Sequence, residues 1–150
     1  MARREQIQLS EEEVRSFVGS KKTIILTTNG PRGFPHTMPM WFVQEDDGTI
    51  RITTYRASQK VKNIQRDPRV SLLVESGLDY AELKGVLMYG HAELIDDPEV
   101  VIETFIAGSG QRDSEEVRAS MKKTATKRVV IRVKPERIVT WDHAKLSGAY

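Results

Sequence analysis

Apolar and polar residues alternate with a period of two along most of this chain, the pattern of strands half-buried in a sheet. Residues 50–55 (IRITTY) are the clearest case, with Ile50 and Ile52 on one face and Arg51 and Thr53 on the other. Residues 22–28 (KTIILTT) form a β-branched run that reads as a central strand, and residues 69–75 (RVSLLVE) give another. Residues 34–43 (FPHTMPMWFV) are a strand containing Pro35 and Pro39. Proline cannot donate to a sheet ladder, so this strand is expected to bend or expose an edge around Pro39. In the long strand at 83–95 (LKGVLMYGHAELI), Gly85 and Gly90 are expected as bulges or points of close approach. Residues 126–133 and 137–141 are the last two strands, parted by Lys134-Pro135.

The period becomes helical in four places. Ser10 and Glu13 form a capping box ahead of Val14, Phe17 and Val18, and that helix ends at Gly19. Ser58 opens a helix carrying Val61 and Ile64, which Asp67-Pro68 ends because the residue before proline is pushed out of the helical region. Asp97 caps a helix with Pro98 at its first position and Val101 and Phe105 on its buried face. Ser114-Glu115-Glu116 opens the last. The turns at 29–33 (NGPRG) and 45–48 (EDDG) suit hairpins, and residues 76–81 and the tail from His143 read as loop. About seven strands joined mostly by hairpins predict a mainly β, antiparallel chain with short flanking helices. Closing such a meander into a barrel removes its edges. A length of 150 residues suits a single domain spanning 1–150.

Charge changes this picture at one point. A helix start is the positive end of the backbone dipole and favours acids. The helix after Ser58 instead has Lys60 and Lys62 in its first turn, Arg56 just before it, and Asp67 at its far end. Free backbone N–H groups, a serine hydroxyl and several cations converging on one helix start make an anion site. The alternative is a solvated basic helix. Segments 51–69 and 118–137 are basic, with six and eight Lys or Arg residues against one acid each. Tyr55 is the only aromatic in either segment and no nucleic-acid motif is present, so a small anionic ligand is preferred to nucleic acid.

Enzyme constellations are sparse. His36, His91 and His143 lie far apart without ligand spacing, so no metal site is expected. There is no cysteine, no G-x-S-x-G elbow and no run of 18 apolar residues. Without an export signal, a cytoplasmic location is expected. No catalytic side chain stands out, so chemistry would have to come from a bound cofactor.

GFPHTMPMWF (33–42) and the strand-to-helix run ending KNIQRDPRVSLLV (62–74) resemble the pyridoxamine 5′-phosphate oxidase-like split β-barrel proteins, which bind FMN or the deazaflavin coenzyme F420. The likeness runs from about Ser10 to Trp141 and leans toward the actinobacterial deazaflavin-dependent reductases of the biliverdin-reductase-like branch. It implies an antiparallel split β-barrel and a homodimer with the cofactor site between subunits. It implies phosphate ligation by Ser58 and Lys60, with Arg56 assisting. The ring would lie along His36, Met38, Pro39, Met40 and Trp41, with Thr53 and Thr54 on the neighbouring strand. A basic groove of Lys60 with Lys127 or Arg128 would suit the anionic tail of F420. Met38, Met40 and Trp41 suit a core equally well, Thr53 and Thr54 suit an ordinary strand, and Lys127 and Arg128 suit a solvated strand end. Three functions follow: an F420-dependent oxidoreductase acting on an unsaturated small molecule, an FMN-dependent enzyme on the same fold, or a non-catalytic cofactor carrier.

Overall fold

The computed structural model describes residues 2–149. Among them, eight strands form one curled antiparallel sheet: β1 (Thr23–Asn29), β2 (Pro35–Trp41), β3 (Val43–Gln44), β4 (Ile50–Tyr55), β5 (Arg69–Ser76), β6 (Lys84–Ile95), β7 (Arg128–Val133) and β8 (Arg137–Asp142). Helices α1 (Arg3–Gln6), α2 (Glu11–Gly19), α3 (Gln59–Arg66), α4 (Pro98–Ser109) and α5 (Glu115–Ala125) surround it. The strand order is β2-β1-β5-β6-β7-β4-β3, with β8 added beside β6. The pivot is β6, whose 12 residues serve three partners. Its first part pairs with β5 and β8, and residues 92–95 pair with β7. The sheet turns as β6 passes from one set of partners to the other. The result is a split β-barrel: β2 and β3, at the two ends of the strand order, are not paired with each other.

Several local expectations change. The long strand at 34–43 breaks at Phe42, while Pro35 and Pro39 stay in regular register on the edge strand β2, where a missing N–H is tolerated. β1 is second from the edge, because its hairpin partner β2 lies outside it. The two last strands do not form a hairpin; both pair with β6. Residues Tyr80–Glu82 and His143–Leu146 are short 3-10 turns where loop was expected.

Gly85 and Gly90 keep register without bulging and act as points of close approach. A Cβ on Gly85 would lie 2.1 Å from the Trp141 indole. Gly85→Ala is therefore expected to displace that indole and destabilise the protein by about 1–3 kcal/mol, the scale of overpacking. Urea unfolding checks this through a lower midpoint at unchanged slope.

The inner face of the sheet buries Ile24, Leu26, Val70, Leu72, Val86 and Met88 together with Val18 of α2. A second cluster, Val101, Ile102, Ala125 and Val130, holds α4 and α5 on the outer face of β7. The outer face of β1, β5, β6 and β8 is different. Register places Pro39, Ile25, Leu73, Leu87 and Val139 side by side in one row across five strands. All five lie outside both clusters and keep partial or full exposure.

α3 is clamped where its chain turns into β5. Asn63, fully buried, donates to Thr28 Oγ1 at 3.0 Å. The Asp67 carboxylate accepts from the Arg69 guanidinium at 3.0 and 2.7 Å, from the Arg69 N–H at 3.1 Å and from Asn29 Nδ2 at 2.9 Å. Arg69 and these N–H donors hold the Asp67 carboxyl far below the usual carboxylate range. A depressed native value means the stabilisation is complete above the ordinary Asp range and is lost as pH falls through the native value. Asp67→Asn should therefore flatten the acid limb of a stability-versus-pH curve and leave its alkaline limb unchanged.

Candidate functional site

The start of α3 is the site's anchor. Ser58 has the extended backbone of an N-cap, yet its hydroxyl makes no capping bond and lies 3.5 Å from Thr54 Oγ1. One turn of α3 brings Lys60 onto the same side as the core residue Ile64, so its stem is drawn inward. Lys60 is only 8% exposed. Its ammonium donates to Thr54 Oγ1 at 3.3 Å, and no carboxylate among the described residues contributes to its environment. Burial first, and the nearby Arg128 charge second, push its pKa below the ordinary lysine value. Lys62, by contrast, is exposed.

Arg128 completes this corner. It pairs directly across from Tyr55, and its guanidinium stacks 4.2 Å from the Tyr55 ring and 5.3 Å from that of Phe105. Its Nε is enclosed without a hydrogen-bond partner. Thr54, Ser58 and Lys60 thus meet within the field of Arg128, and among the described residues no acid pairs with either cation. Buried charge is normally paired, so this corner is electrostatically incomplete in a way an anion would satisfy.

A groove of about 590 Å³ lies along the outward face of β4, the face opposite Thr54. Thr53 and Phe105 line it, joining it to the corner through the Phe105–Arg128 stack. Trp41, Lys21 and Lys22 line its other end. Trp41 is 83% exposed. Arg51 is held beneath the groove between Glu45 and Thr104: its Nε lies 3.1 Å from Glu45 Oε1, off the hydrogen-bond axis, and its Nη1 donates to Thr104 Oγ1 at 3.1 Å. Glu45 also takes Arg132 at 3.2 Å, so one carboxylate ties β3 to β4 and β7.

The structure therefore brings Thr54, Ser58 and Lys60 together and places Trp41 and Thr53 in the adjoining groove. His36, Met38 and Met40 share the opposite, inner side of β2. Met40 packs on the core, Met38 is largely open, and His36 Nδ1 is enclosed without a partner. Pro39 begins the apolar outer row. Arg56 is already engaged: it holds Asp96 through Nε at 3.0 Å and the Thr126 carbonyl through Nη1 at 2.9 Å. It braces the loop before β7 and has little capacity left for a ligand. Lys127 is exposed, and its carbonyl accepts from the Arg56 N–H. The cation at that end of β7 that stacks on Tyr55 and Phe105 is Arg128, which the sequence presents only as an alternative to Lys127. Phe105 reads from sequence only as a core face of its helix.

The model of the pyridoxamine 5′-phosphate oxidase family matches residues 10–142. The conserved hypothetical protein Rv2991 of Mycobacterium tuberculosis is 37% identical, with a TM-score of 0.89 over 98% of this chain and 93% of that one. An F420 reductase shares the fold at 22% identity and a TM-score of 0.62, over 83% of this chain and 94% of that one. An FAD-binding protein of Mesorhizobium loti does so at 15% identity and 0.64, over 88% and 92%. Among curated proteins, none matches. The family match over most of the sequence agrees with the curled sheet and its order of strands: this chain belongs to the pyridoxamine 5′-phosphate oxidase-like split-barrel family.

Proposed function

We propose that this protein is an F420-dependent oxidoreductase that works as a homodimer on an unsaturated small molecule. The observation that carries the reading is the pair of a buried Lys60 and an Arg128 whose Nε is enclosed without a partner, with no acid paired to either among the described residues. Such a corner suits the phosphate of a flavin-type cofactor. Ser58, Thr54, Lys60 and Arg128 would hold that phosphate, and the groove past Thr53 would take the elongated remainder. Lys21 and Lys22 form a second positive pole at the far end of the groove, matching an anionic tail as F420 has and FMN lacks. When bound, reduced F420 supplies a hydride. The residues of this chain would orient the cofactor and exclude water from one of its faces.

The homodimer is supported by the uncovered apolar row Pro39, Ile25, Leu73, Leu87 and Val139. A monomer rarely leaves so continuous a stripe in water. A site between subunits is in keeping with the single-walled groove, which lacks cover over Trp41.

Titrating the purified protein with F420 and with FMN tests the choice of cofactor. The reading expects F420 to bind at least tenfold more tightly, and reduced F420 to be oxidised by an added conjugated acceptor. Tighter FMN binding would select the flavin enzyme. F420 binding without turnover of any acceptor would select a carrier.

A further inference from the structure

We propose that the cleft between α2 and β8, at the open end of the half-barrel, is a second ligand site, for a carboxylate with a medium-length alkyl body. It shares none of the anion-corner residues and meets the cofactor groove only at Val18 and Gln44. The cleft measures about 700 Å³. Its floor reaches Met88 and Val18, both essentially buried core residues. Ile138 pairs with Met88 across β6 and β8 and faces the same inner side, yet it is 45% exposed. An inward-facing isoleucine left this open is apolar surface that the chain itself does not cover.

The free edge of β8 shows where that cover stops. Ile7 accepts from the Asp142 N–H at 2.7 Å and Leu9 donates to Thr140 Oγ1 at 2.9 Å, but the chain then turns into α2 before reaching Ile138. The mouth above this floor is cationic. Arg4, Arg15 and Lys134 line it, while Arg137 at its margin turns to the outer face, its guanidinium 5.7 Å from the Tyr89 ring. Against these three cations stand two acids, Glu11 and Asp47, the latter also accepting from the Thr49 N–H at 2.9 Å. A positive mouth over an apolar floor selects a negative head on an apolar body. A sugar or nucleotide would leave the floor unmatched, and an alkyl cation would be repelled at the rim.

Isothermal calorimetry with decanoate, below its micelle-forming concentration, tests this against decanol and decyltrimethylammonium. Decanoate is expected to bind at least tenfold more tightly than either. Ile138→Asp, and separately the double variant Lys134→Glu with Arg4→Glu, should each weaken decanoate by tenfold or more while leaving the cofactor dissociation constant unchanged. The double variant alters only exposed side chains, so it remains informative if Ile138→Asp fails to fold. Equal binding of all three decyl probes, decanoate affinity unchanged in the double variant, or no heat up to millimolar decanoate would each overturn the assignment.

Discussion

Lys60→Met is expected to raise the stability of the cofactor-free protein and at the same time to remove most of its affinity for a phosphorylated cofactor. Methionine keeps the stem on the side of Ile64 and removes the ammonium, whose one hydrogen-bond partner among the described residues is the Thr54 hydroxyl. With the charge gone, the desolvation penalty and the repulsion from Arg128 both vanish. The gain is on the order of 1 kcal/mol, typical of relieving a site held under strain for function. A lost charged hydrogen bond to phosphate costs roughly 1.5–3 kcal/mol, about ten- to hundredfold in dissociation constant. The same charge sets a pH signature. The folded pKa of Lys60 is lowered, so between that value and the ordinary lysine value the unfolded chain binds more protons than the native one. Stability of the cofactor-free protein should rise with pH across this window, and the slope should disappear in the variant. Cofactor affinity runs the other way, weakening as pH rises through the native value and Lys60 loses its proton. Thermal unfolding and cofactor titration over a pH series measure both. Wild-type affinity in Lys60→Met would end the case for this corner as the phosphate site.

The reversed charges on α3 are visible in the sequence because dipole and capping rules are local. So is the choice between the two lysines, once helical spacing is followed: Lys60 stands one turn before Ile64, and Lys62 falls on the opposite side. What is not local is not legible. Arg128 enters the site only through the β4–β7 register, which joins residues more than seventy apart in sequence. Arg56 sits where an anion ligand belongs, but Asp96 claims it from 40 residues away. β8 pairs with β6 and not with β7, because the 12-residue β6 leaves a flank beside β5 for a second partner. The apolar outer row is the strongest such case. Ile25, Leu73 and Leu87 read as ordinary strand interior in sequence, and only the aligned registers show that they face away from the core.

That row yields the other large expected effect. Leu87→Arg should convert the proposed dimer to a monomer and weaken cofactor binding with it. Leu87 is inside the row, flanked by Leu73 on β5 and Val139 on β8. It is half-exposed and outside both core clusters, so an arginine there can extend into water in the isolated subunit, and the fold should survive with an unchanged circular dichroism spectrum. In the assembled dimer the same guanidinium would be sealed between two apolar faces and, by two-fold symmetry, set near its own copy. An uncompensated buried charge costs several kcal/mol, more than enough to dissociate a dimer of micromolar strength at working concentrations. Sedimentation velocity should therefore give the mass of one chain. Two results would count against the arrangement, and they mean different things. A variant that keeps the dimer mass would show that the row is not the contact. A monomeric variant with undiminished F420 affinity would show that one subunit holds the cofactor alone, with Lys60, Arg128 and the groove past Thr53 forming a complete site.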